Sequence, residues 1–373
     1  MLKIENVYKI LFWIIVVFFP FILVAQSKFS ENLYLRTDLN YGFVLPEYQN
    51  INYLVDKPTY GFEVSLGKKT SGKSIWEKLY KFPEYGLTTS FTTLGNKEVF
   101  GSEFGLYPYV QNFLIRRPKF QMTSQFGLGI GYATKKFDLQ TNYENISIGS
   151  HLNAHFNYKI GTRFILGEHF SINAGLSFTH FSNANMAEPN LGINLFKVYT
   201  GLNYSIHADK AFTAIELLQH ETKHEFAFVY AFGGKHTRAL QSDVYITSSL
   251  SSEYKFHWKR KLHVGGGLDL FYDSSTKVEM NAVKKGDDYK TMYDYKTGIH
   301  ISQEIVYDRF SFILQTGTYI GLTNHLNNHK IYNRAVLRWK FNDHLLMSVS
   351  MKSHLHILDY PEIGFGYFFI KKK

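Results

Sequence analysis

Hydrophobic and polar residues alternate along most of the chain. The pattern is clear in residues 60–67, where Tyr60, Phe62, Val64 and Leu66 are apolar and Gly61, Glu63, Ser65 and Gly67 lie between them. It recurs in residues 33–43, 120–130 and 331–341. Successive side chains of a β-strand point to opposite faces, so each segment predicts a strand with one apolar and one polar face. Counting such segments predicts about sixteen strands, with fourteen as an acceptable count.

Three features favour a membrane barrel over a soluble β-sandwich. The alternating segments run about ten or more residues, which is close to the length of a membrane-spanning strand. Aromatic residues make up 17% of the chain, as expected if they girdle both membrane interfaces. Long connections, at 44–57, 133–145 and 273–292, alternate with tight turns near Asp308 and Asn342. We therefore predict an all-β protein, a transmembrane antiparallel outer-membrane β-barrel, with residues 26–373 forming a single barrel.

The first 25 residues predict an export signal. Lys3 and Lys9 give a basic start, residues 10–24 are apolar, and Ala25-Gln26-Ser27 offers small residues for cleavage. A membrane anchor is the competing interpretation, but an apolar run of roughly 15 residues interrupted by Pro20 is short for one. We expect residues 1–25 to be a signal peptide and the mature protein to reside in the bacterial outer membrane.

Composition narrows the classes of function. The 373 residues contain no cysteine, which excludes a disulfide scaffold, a zinc knuckle and a thiol nucleophile. With 45% hydrophobic and 19% charged residues, the chain is too apolar to be disordered. The formal net charge of +10, combined with export, indicates contact with anionic lipid and no nucleic-acid partner.

Two motif matches predict no chemistry in this context. Residues 67–74, G-K-K-T-S-G-K-S, fit the phosphate-binding loop pattern, but the preceding strand alternates, whereas a strand feeding such a loop is buried on both faces. Residues 220–224, H-E-T-K-H, fit the zinc-protease pattern, which requires a helix. Strand alternation resumes within two residues of His224. We interpret both as solvated connections and predict no metal and no other cofactor.

A histidine and a serine break the pattern in residues 170–194. Phe170, Ile172 and Leu176 occupy the apolar parity, and the same parity then places His180 and Ser182 on the lipid-facing side. Their α-carbons would lie roughly 6.5–7 Å apart, which lets the imidazole reach the hydroxyl. Buried polar groups on that face are unfavourable unless partnered. The alternative is a strand end in the headgroup zone, where polar residues carry no penalty.

The following strand and loop supply further polar groups. Asn194 lies on the apolar parity of the next strand, and the Asn-, Pro- and Gly-rich loop 183–193 between the strands can supply amides. Nucleophile, base, orienting group and oxyanion donors could converge here, which is the general triad arrangement. The Gly192 N–H is one candidate oxyanion donor.

The H-F-S-N-A…P-N-L-G-I-N run of residues 180–194 resembles the signature of the lipid A 3-O-deacylase (PagL-like) or acyloxyacyl hydrolase family. These are outer-membrane barrels with an externally facing Ser-His-acid site. The resemblance implies that Ser182 is the nucleophile and His180 the base. Asn194 stands where the family has a glutamate that orients the histidine, and Glu188 is a candidate substitute acid.

The resemblance also covers the loop and the rest of the chain. It implies that the amides of Asn183 and Asn190 help to stabilise the oxyanion. Residues 33–206 resemble the eight-stranded deacylase core, whereas residues 207–373 add strands seen in longer relatives. Two elements carry the second likeness, G-L-D-L-F-Y-D at 267–273 and the run 359–367.

The predicted function is a carboxylic ester hydrolase of the outer membrane. We expect it to remove an ester-linked fatty acyl chain from lipid A of lipopolysaccharide in the outer leaflet. Basic residues near the rim could hold the lipid phosphates, and we selected Lys197, Lys235 and Arg238.

Two other classes of function stay open at this point. A sixteen-stranded barrel is wide enough for an aqueous channel, so a non-catalytic porin-like relative is the alternative. Its inward charges would either line the pore or pair with each other, and they include Arg36, Asp38, Glu63, Glu103, Arg334 and Arg338. A purely structural barrel is the third class. The sequence also leaves open whether the barrel forms a homodimer.

Overall fold

The computed structural model describes residues 32–46, 49–207, 221–237, 243–322, 329–355 and 357–372. The predicted signal peptide, residues 1–25, lies outside the described residues. Within those ranges no helix is both long enough and apolar enough to cross a membrane.

Sixteen antiparallel strands account for most of the described chain, and this confirms the predicted all-β class and strand number. They are β1 (Leu33–Leu45), β2 (Thr59–Lys69), β3 (Glu84–Thr93), β4 (Ser102–Arg116), β5 (Phe120–Ala133), β6 (Leu152–Ile165), β7 (Phe170–Ser182), β8 (Ile193–Ser205), β9 (Lys223–Lys235), β10 (Tyr245–Phe256), β11 (Leu262–Asp273), β12 (Tyr295–Tyr307), β13 (Phe310–Tyr319), β14 (Ile331–Lys340), β15 (Leu345–His354) and β16 (Ile357–Lys372). Within the described parts of the connections there are three short helices: α1 (Gln49–Asn52), α2 (Ile75–Leu79) and α3 (Thr276–Ala282). Two 3-10 turns, Gly286–Asp288 and Thr291–Asp294, follow α3.

The strands close into two barrels, not one. β8 pairs back onto β1, from Tyr34 with Ser205 to Leu45 with Asn194, and β16 pairs back onto β9. The expectation of a single sixteen-stranded barrel is therefore wrong, although the number of strands is right. Alternation fixes which face of a strand is apolar, but every strand edge carries the same hydrogen-bonding groups, so alternation does not select the closing partner.

Buried charges of opposite sign fill the N-terminal barrel, β1–β8. The Lys159 ammonium lies 2.8 Å from Asp38 and 2.5 Å from Glu63, and the Arg163 guanidinium lies 2.8 Å from Glu84. These residues come from four different strands, so they meet only because eight strands make a barrel narrow enough for side chains to span it. Desolvated charges need such partners, since an unpaired buried charge is strongly unfavourable.

The C-terminal barrel, β9–β16, is filled in the same way. Asp269 lies 2.6 Å from His300 and also pairs with Arg334, while Arg338 lies 2.8 Å from Glu253. The six inward charges considered above as pore-lining are at most 4% exposed. Of the two fates considered for them, pairing within a filled interior is the one observed. The channel alternative thereby loses the wide lumen on which it depended.

The outward faces are apolar, and the two ends of the barrels differ. Exposed leucine, isoleucine, phenylalanine and tyrosine side chains cover the outside, whereas buried polar residues alternate with them along each strand. We call the end of the barrels at which β1 begins the inner end and the opposite end the outer end. The connections at the inner end are mostly short, as at 117–119, 166–169 and 308–309, while those at the outer end include the longer segments 134–151 and 274–294. β1 starts at the inner end and β16 finishes there, as an even strand count requires.

Candidate functional site

The outer end of β7 presents His180 and Ser182 on the lipid-facing side of the N-terminal barrel. Both side chains are half-buried, whereas Thr179 and Phe181, which alternate with them, are fully buried inside. Period two is the cause, since the apolar parity of Ile172 and Leu176 continues through both residues. The structure therefore places the pair on the face that the alternation predicts.

Asn194 completes a hydrogen-bonded row of three side chains. It lies on β8 directly opposite His180 in the antiparallel register. Its Oδ1 is 2.7 Å from Nδ1 of His180, and Nε2 of His180 is 3.1 Å from Oγ of Ser182. Because an amide oxygen only accepts, Nδ1 donates its proton to Asn194, and Nε2 is then the acceptor for the Ser182 hydroxyl. This tautomer is the one that a general base requires.

Gly192 allows the loop to pass close to the imidazole. Its φ is +73°, and a Cβ at this position would lie 2.9 Å from Cε1 of His180 and 3.3 Å from Cβ of Ser182. Its N–H donates to the carbonyl of Ser147 at 2.9 Å. The expectation that this N–H serves as an oxyanion donor is therefore corrected: it ties the loop to the connection 134–151. Sequence reasoning missed Ser147, because nothing local to it marks the contact.

The two loop asparagines hold the loop in shape. The backbone N–H of Asn183 donates to Oδ1 of Asn190 at 2.9 Å. The Asn183 side chain is engaged within the loop, since Nδ2 donates to the Ala187 carbonyl and Oδ1 accepts from the N–H groups of Met186 and Ala187. Both residues lie in the connection that follows Ser182. Asn183 acts there as a turn-forming residue, as short polar side chains commonly do.

Glu188 lies in the same loop, and its carboxyl group interacts with Asn190 and His236. Burial raises the pKa of its carboxyl group, while the backbone N–H of Asn190 and the side chain of His236 lower it. Nδ1 of His180 is already engaged by Asn194. The structure therefore brings Asn194, and not Glu188, to the orienting position.

The basic residues selected as phosphate holders are placed differently from the expectation. Lys197 and Lys235 are buried inside the barrels, at 2% and 5% exposure, beside Glu63 and Asp273 respectively. Arg238 lies outside the described residues. The alternation of the sequence could have predicted this burial for Lys197, because Lys197 occupies one of the polar, inward-facing positions of β8.

The phosphate-loop match has a structural explanation. The backbone N–H groups of Ser71, Gly72 and Lys73 converge on Oε2 of Glu77, at 3.1, 2.6 and 3.0 Å. Such a nest of N–H groups binds anions. Here the chain's own carboxylate occupies it.

The zinc-protease match falls partly outside the described residues, which begin again after His220. His224 lies in β9, where its Nδ1 is 2.7 Å from the Tyr254 hydroxyl. The zinc-protease pattern needs two histidines one turn apart on a helix. His224 lies on a strand, so it does not have that geometry.

A group of possible metal ligands at the inner end of the C-terminal barrel was not foreseen. One nitrogen or oxygen atom from each of Glu225, His257 and His263 lies within 4.8 Å of the others. Glu225 is also paired with the ammonium of Lys340 at 2.6 Å and with His257 at 3.1 Å. Its charge is thus already compensated, as in the other ion pairs that fill the barrels.

Two family matches cover most of the chain. Residues 60–203 match the family described as Lipid A 3-O-deacylase (PagL), and residues 224–372 match Acyloxyacyl hydrolase, C-terminal domain. Each match falls within one barrel. A search among curated proteins found no match.

Solved structures of outer-membrane barrels are similar at low identity. The outer membrane enzyme PagL is 15% identical, with 44% of this chain and 97% of that chain covered and a TM-score of 0.33. Neisserial surface protein A is 8% identical, with 47% and 98% covered and a TM-score of 0.33. An outer-membrane channel from Pseudomonas putida F1 is 11% identical, with 91% and 95% covered and a TM-score of 0.18.

At these TM-scores the structural likeness carries no argument about function, so assignment rests on the two family matches. They agree with the resemblance seen in residues 180–194 and with the filled barrels. The resemblance is thereby confirmed: the N-terminal barrel matches the lipid A 3-O-deacylase (PagL) family and the C-terminal barrel matches the acyloxyacyl hydrolase C-terminal domain, as in a longer variant of these bacterial outer-membrane β-barrels.

Proposed function

We propose that this protein is a serine esterase that hydrolyses an ester-linked fatty acyl chain of lipid A, with Ser182 as nucleophile, His180 as general base and Asn194 as orienting group. The observation that carries the proposal is the row of two hydrogen bonds from Asn194 through His180 to Ser182, at 2.7 and 3.1 Å. A nucleophile bonded to a base, which is in turn held by a third group, is the general signature of nucleophilic catalysis.

In the first half of the reaction, Nε2 of His180 takes the hydroxyl proton of Ser182 while Oγ attacks the ester carbonyl carbon. The carbonyl oxygen becomes an oxyanion in the tetrahedral intermediate. His180 then gives the proton to the sugar oxygen as the carbon–oxygen bond breaks, which leaves an acyl-Ser182 enzyme. In the second half, His180 deprotonates a water molecule that attacks the acyl carbon, and the proton returns to Ser182 as the fatty acid leaves.

The loop after Ser182 supplies the donor proposed for the oxyanion. Asn190 uses Oδ1 to accept the N–H of Asn183, so its Nδ2 group points to the opposite side of the same amide. We assign the oxyanion contact to this Nδ2 group. Removing one such donor typically costs about 3–4 kcal/mol of transition-state stabilisation.

Asn194 supports the base without adding charge. Its amide oxygen fixes the tautomer and the ring orientation of His180, but it stabilises the transient imidazolium only as a dipole. A carboxylate in this position would do so with a full charge, through a hydrogen bond roughly twice as strong. We expect turnover, at a rate below that of a glutamate-containing site.

The position of the site suits a lipid substrate. His180 and Ser182 are on the outer wall of the barrel, near the end of β7 that leads into the outer connection 183–192. The ester bonds of lipid A lie just beneath the headgroups of the outer leaflet, so such a wall would meet them without extracting the lipid. Anionic lipid A also fits the basic chain.

The proposal is tested by mass spectrometry of lipid A from cells that express wild type or Ser182→Ala. Wild type should release one acyl chain, and Ser182→Ala should release none. Ser124→Ala is a matched control, because Ser124 also faces outward, on β5, and should leave deacylation intact. Equal deacylation by wild type and Ser182→Ala would remove the esterase proposal.

A further inference from the structure

The two barrels contact each other along a seam that starts at their inner ends. The ring of Tyr80, at the end of α2, stacks on Tyr307 at the end of β12 with centroids 4.0 Å apart. The Tyr80 hydroxyl donates to the Val306 carbonyl at 2.8 Å, and Nδ2 of Asn112 donates to the Tyr307 hydroxyl at 3.2 Å. Trp76 adds a ring contact to Tyr307. The inner end of the seam is thus made of aromatic and hydrogen-bonded contacts.

The seam reaches the outer end at the catalytic loop. Nδ2 of Asn185, three residues after Ser182, donates to the Asp359 carbonyl of β16 at 3.1 Å. Asp359 is itself fixed, since its carboxylate lies 2.6 Å from the Lys352 ammonium and 3.4 Å from that of Lys235. The C-terminal barrel therefore contacts the loop that carries the proposed oxyanion donor, Asn190.

A row of four phenylalanines connects the candidate site with the C-terminal barrel. Phe178 precedes His180 by two residues on the same face of β7, and Phe156 of β6 pairs directly with His180. The ring centroids of Phe178 and Phe156 are 6.3 Å apart, those of Phe156 and Phe126 are 5.3 Å apart, and those of Phe126 and Phe312 are 6.2 Å apart. Phe312 lies on β13, so the row crosses the seam.

We infer that this row is the binding surface for the scissile acyl chain, and that Phe312 of the C-terminal barrel contacts its distal part. The inference rests on the proposed function. The acyl carbon must reach Oγ of Ser182, so the first methylenes of the chain lie beside His180, where Phe178 and Phe156 begin the row. The chain continues away from the headgroups, and the row leads from β7 across β6 and β5 to Phe312 of β13.

Selectivity on such a surface comes from packing. Lipid tails are as apolar as the rings, so moving the chain from the bilayer to the seam gains little hydrophobic free energy. Dispersion contacts with fixed rings remain, and they grow with every methylene that lies on the row. Short chains end before they reach Phe312, so this residue should matter only for long ones.

The test compares ester hydrolysis by wild type and Phe312→Ala, using purified full-length protein in detergent micelles. The probes are p-nitrophenyl esters of saturated acids from butyrate to palmitate. Phe228→Ala is the matched control, because Phe228 is an exposed phenylalanine on β9 of the same barrel. We expect Phe312→Ala to lower kcat/KM for palmitate about three- to tenfold and to leave butyrate unchanged. Phe228→Ala should change neither.

Further arms separate the outcomes. Heat-modifiable migration on gels checks that each variant is folded, and Phe312→Leu replaces Phe312→Ala if the latter does not fold. If Phe156→Ala alters the chain-length profile while both Phe312 variants leave it unchanged, the C-terminal barrel has no part in acyl recognition and the inference is overturned. If Ser182→Ala hydrolyses the esters as fast as wild type, it is the proposed function that fails.

Discussion

The substitution Asn194→Asp measures what a neutral orienting group does to the rate. Asparagine and aspartate have the same shape, so a carboxylate oxygen would take the place of Oδ1, 2.7 Å from Nδ1 of His180. The register that sets Asn194 opposite His180 is a backbone property and should not change. The variant therefore places a negative charge beside the base, His180, and leaves the geometry of the contact between His180 and Ser182 as it is.

The size of the effect follows from that distance. Two opposite charges about 4 Å apart attract by about 4 kcal/mol at an effective dielectric constant near 20. The half-buried carboxylate loses part of its hydration, which offsets much of this attraction. A hydrogen bond to a charged group is roughly 1–2 kcal/mol stronger than a neutral one. Since the imidazolium exists only along the reaction path, we expect kcat to rise about five- to thirtyfold.

The assay is the initial rate of fatty-acid release from lipid A in detergent micelles at neutral pH. Asn333→Asp serves as the control, because Asn333 is a half-buried asparagine on the outer face of β14, in the other barrel. It should leave the rate unchanged, and Asn194→Ala, which removes the acceptor, should fall below wild type. A folded Asn194→Asp protein that is no faster than wild type would refute the assignment of Asn194 as the group that stabilises the base.

Three further predictions follow from the connections. Gly192→Ala should cost about 1–2 kcal/mol in a urea unfolding series and at least tenfold in kcat, because its φ is +73° and the new Cβ would lie 2.9 Å from the His180 ring; an unchanged rate would contradict the close approach. The raised pKa of Glu188 means that the folded state keeps this proton to higher pH than the unfolded state. Stability should therefore be greatest below the ordinary carboxyl pKa and fall as pH rises through the raised value, and Glu188→Gln should lack this component of the urea midpoint. Glu77→Ala leaves three N–H groups without their carboxylate and should lower stability by about 1 kcal/mol without affecting deacylation.

The strands themselves were predictable because their signal is local. Alternation over ten or more residues predicts a strand and identifies its apolar and polar faces. The structure has sixteen strands, with the apolar positions facing outward. Closure was not predictable in the same way. The pairing of β8 with β1 joins the last strand of the N-terminal barrel to its first strand. Its backbone hydrogen bonds are the same as those that any strand edge can form. The interior charges select it, since Lys159 finds Asp38 and Glu63 only across a narrow barrel.

The candidate site was likewise predictable only in part. The spacing of His180 and Ser182 follows from parity within one strand, and the position of Asn194 was suggested by parity on the next. Its direct pairing with His180 depends on the register of the hairpin. The roles of Gly192 and Glu188 depend on contacts with other connections, through Ser147 and His236. No pattern within residues 183–192 encodes those contacts.

The amino-acid sequence by itself determined the class of fold, the face on which each side chain lies and the two side chains that project outward at the end of β7. All three depend on near neighbours in one extended strand, where geometry leaves each side chain only two directions. The tertiary structure decided that the strands form two filled barrels, which amides are engaged within the loop 183–192, and that a row of rings leads from His180 to the second barrel. Those features are made by residues far apart in the chain, which meet only when ladders close and interior charges find their partners.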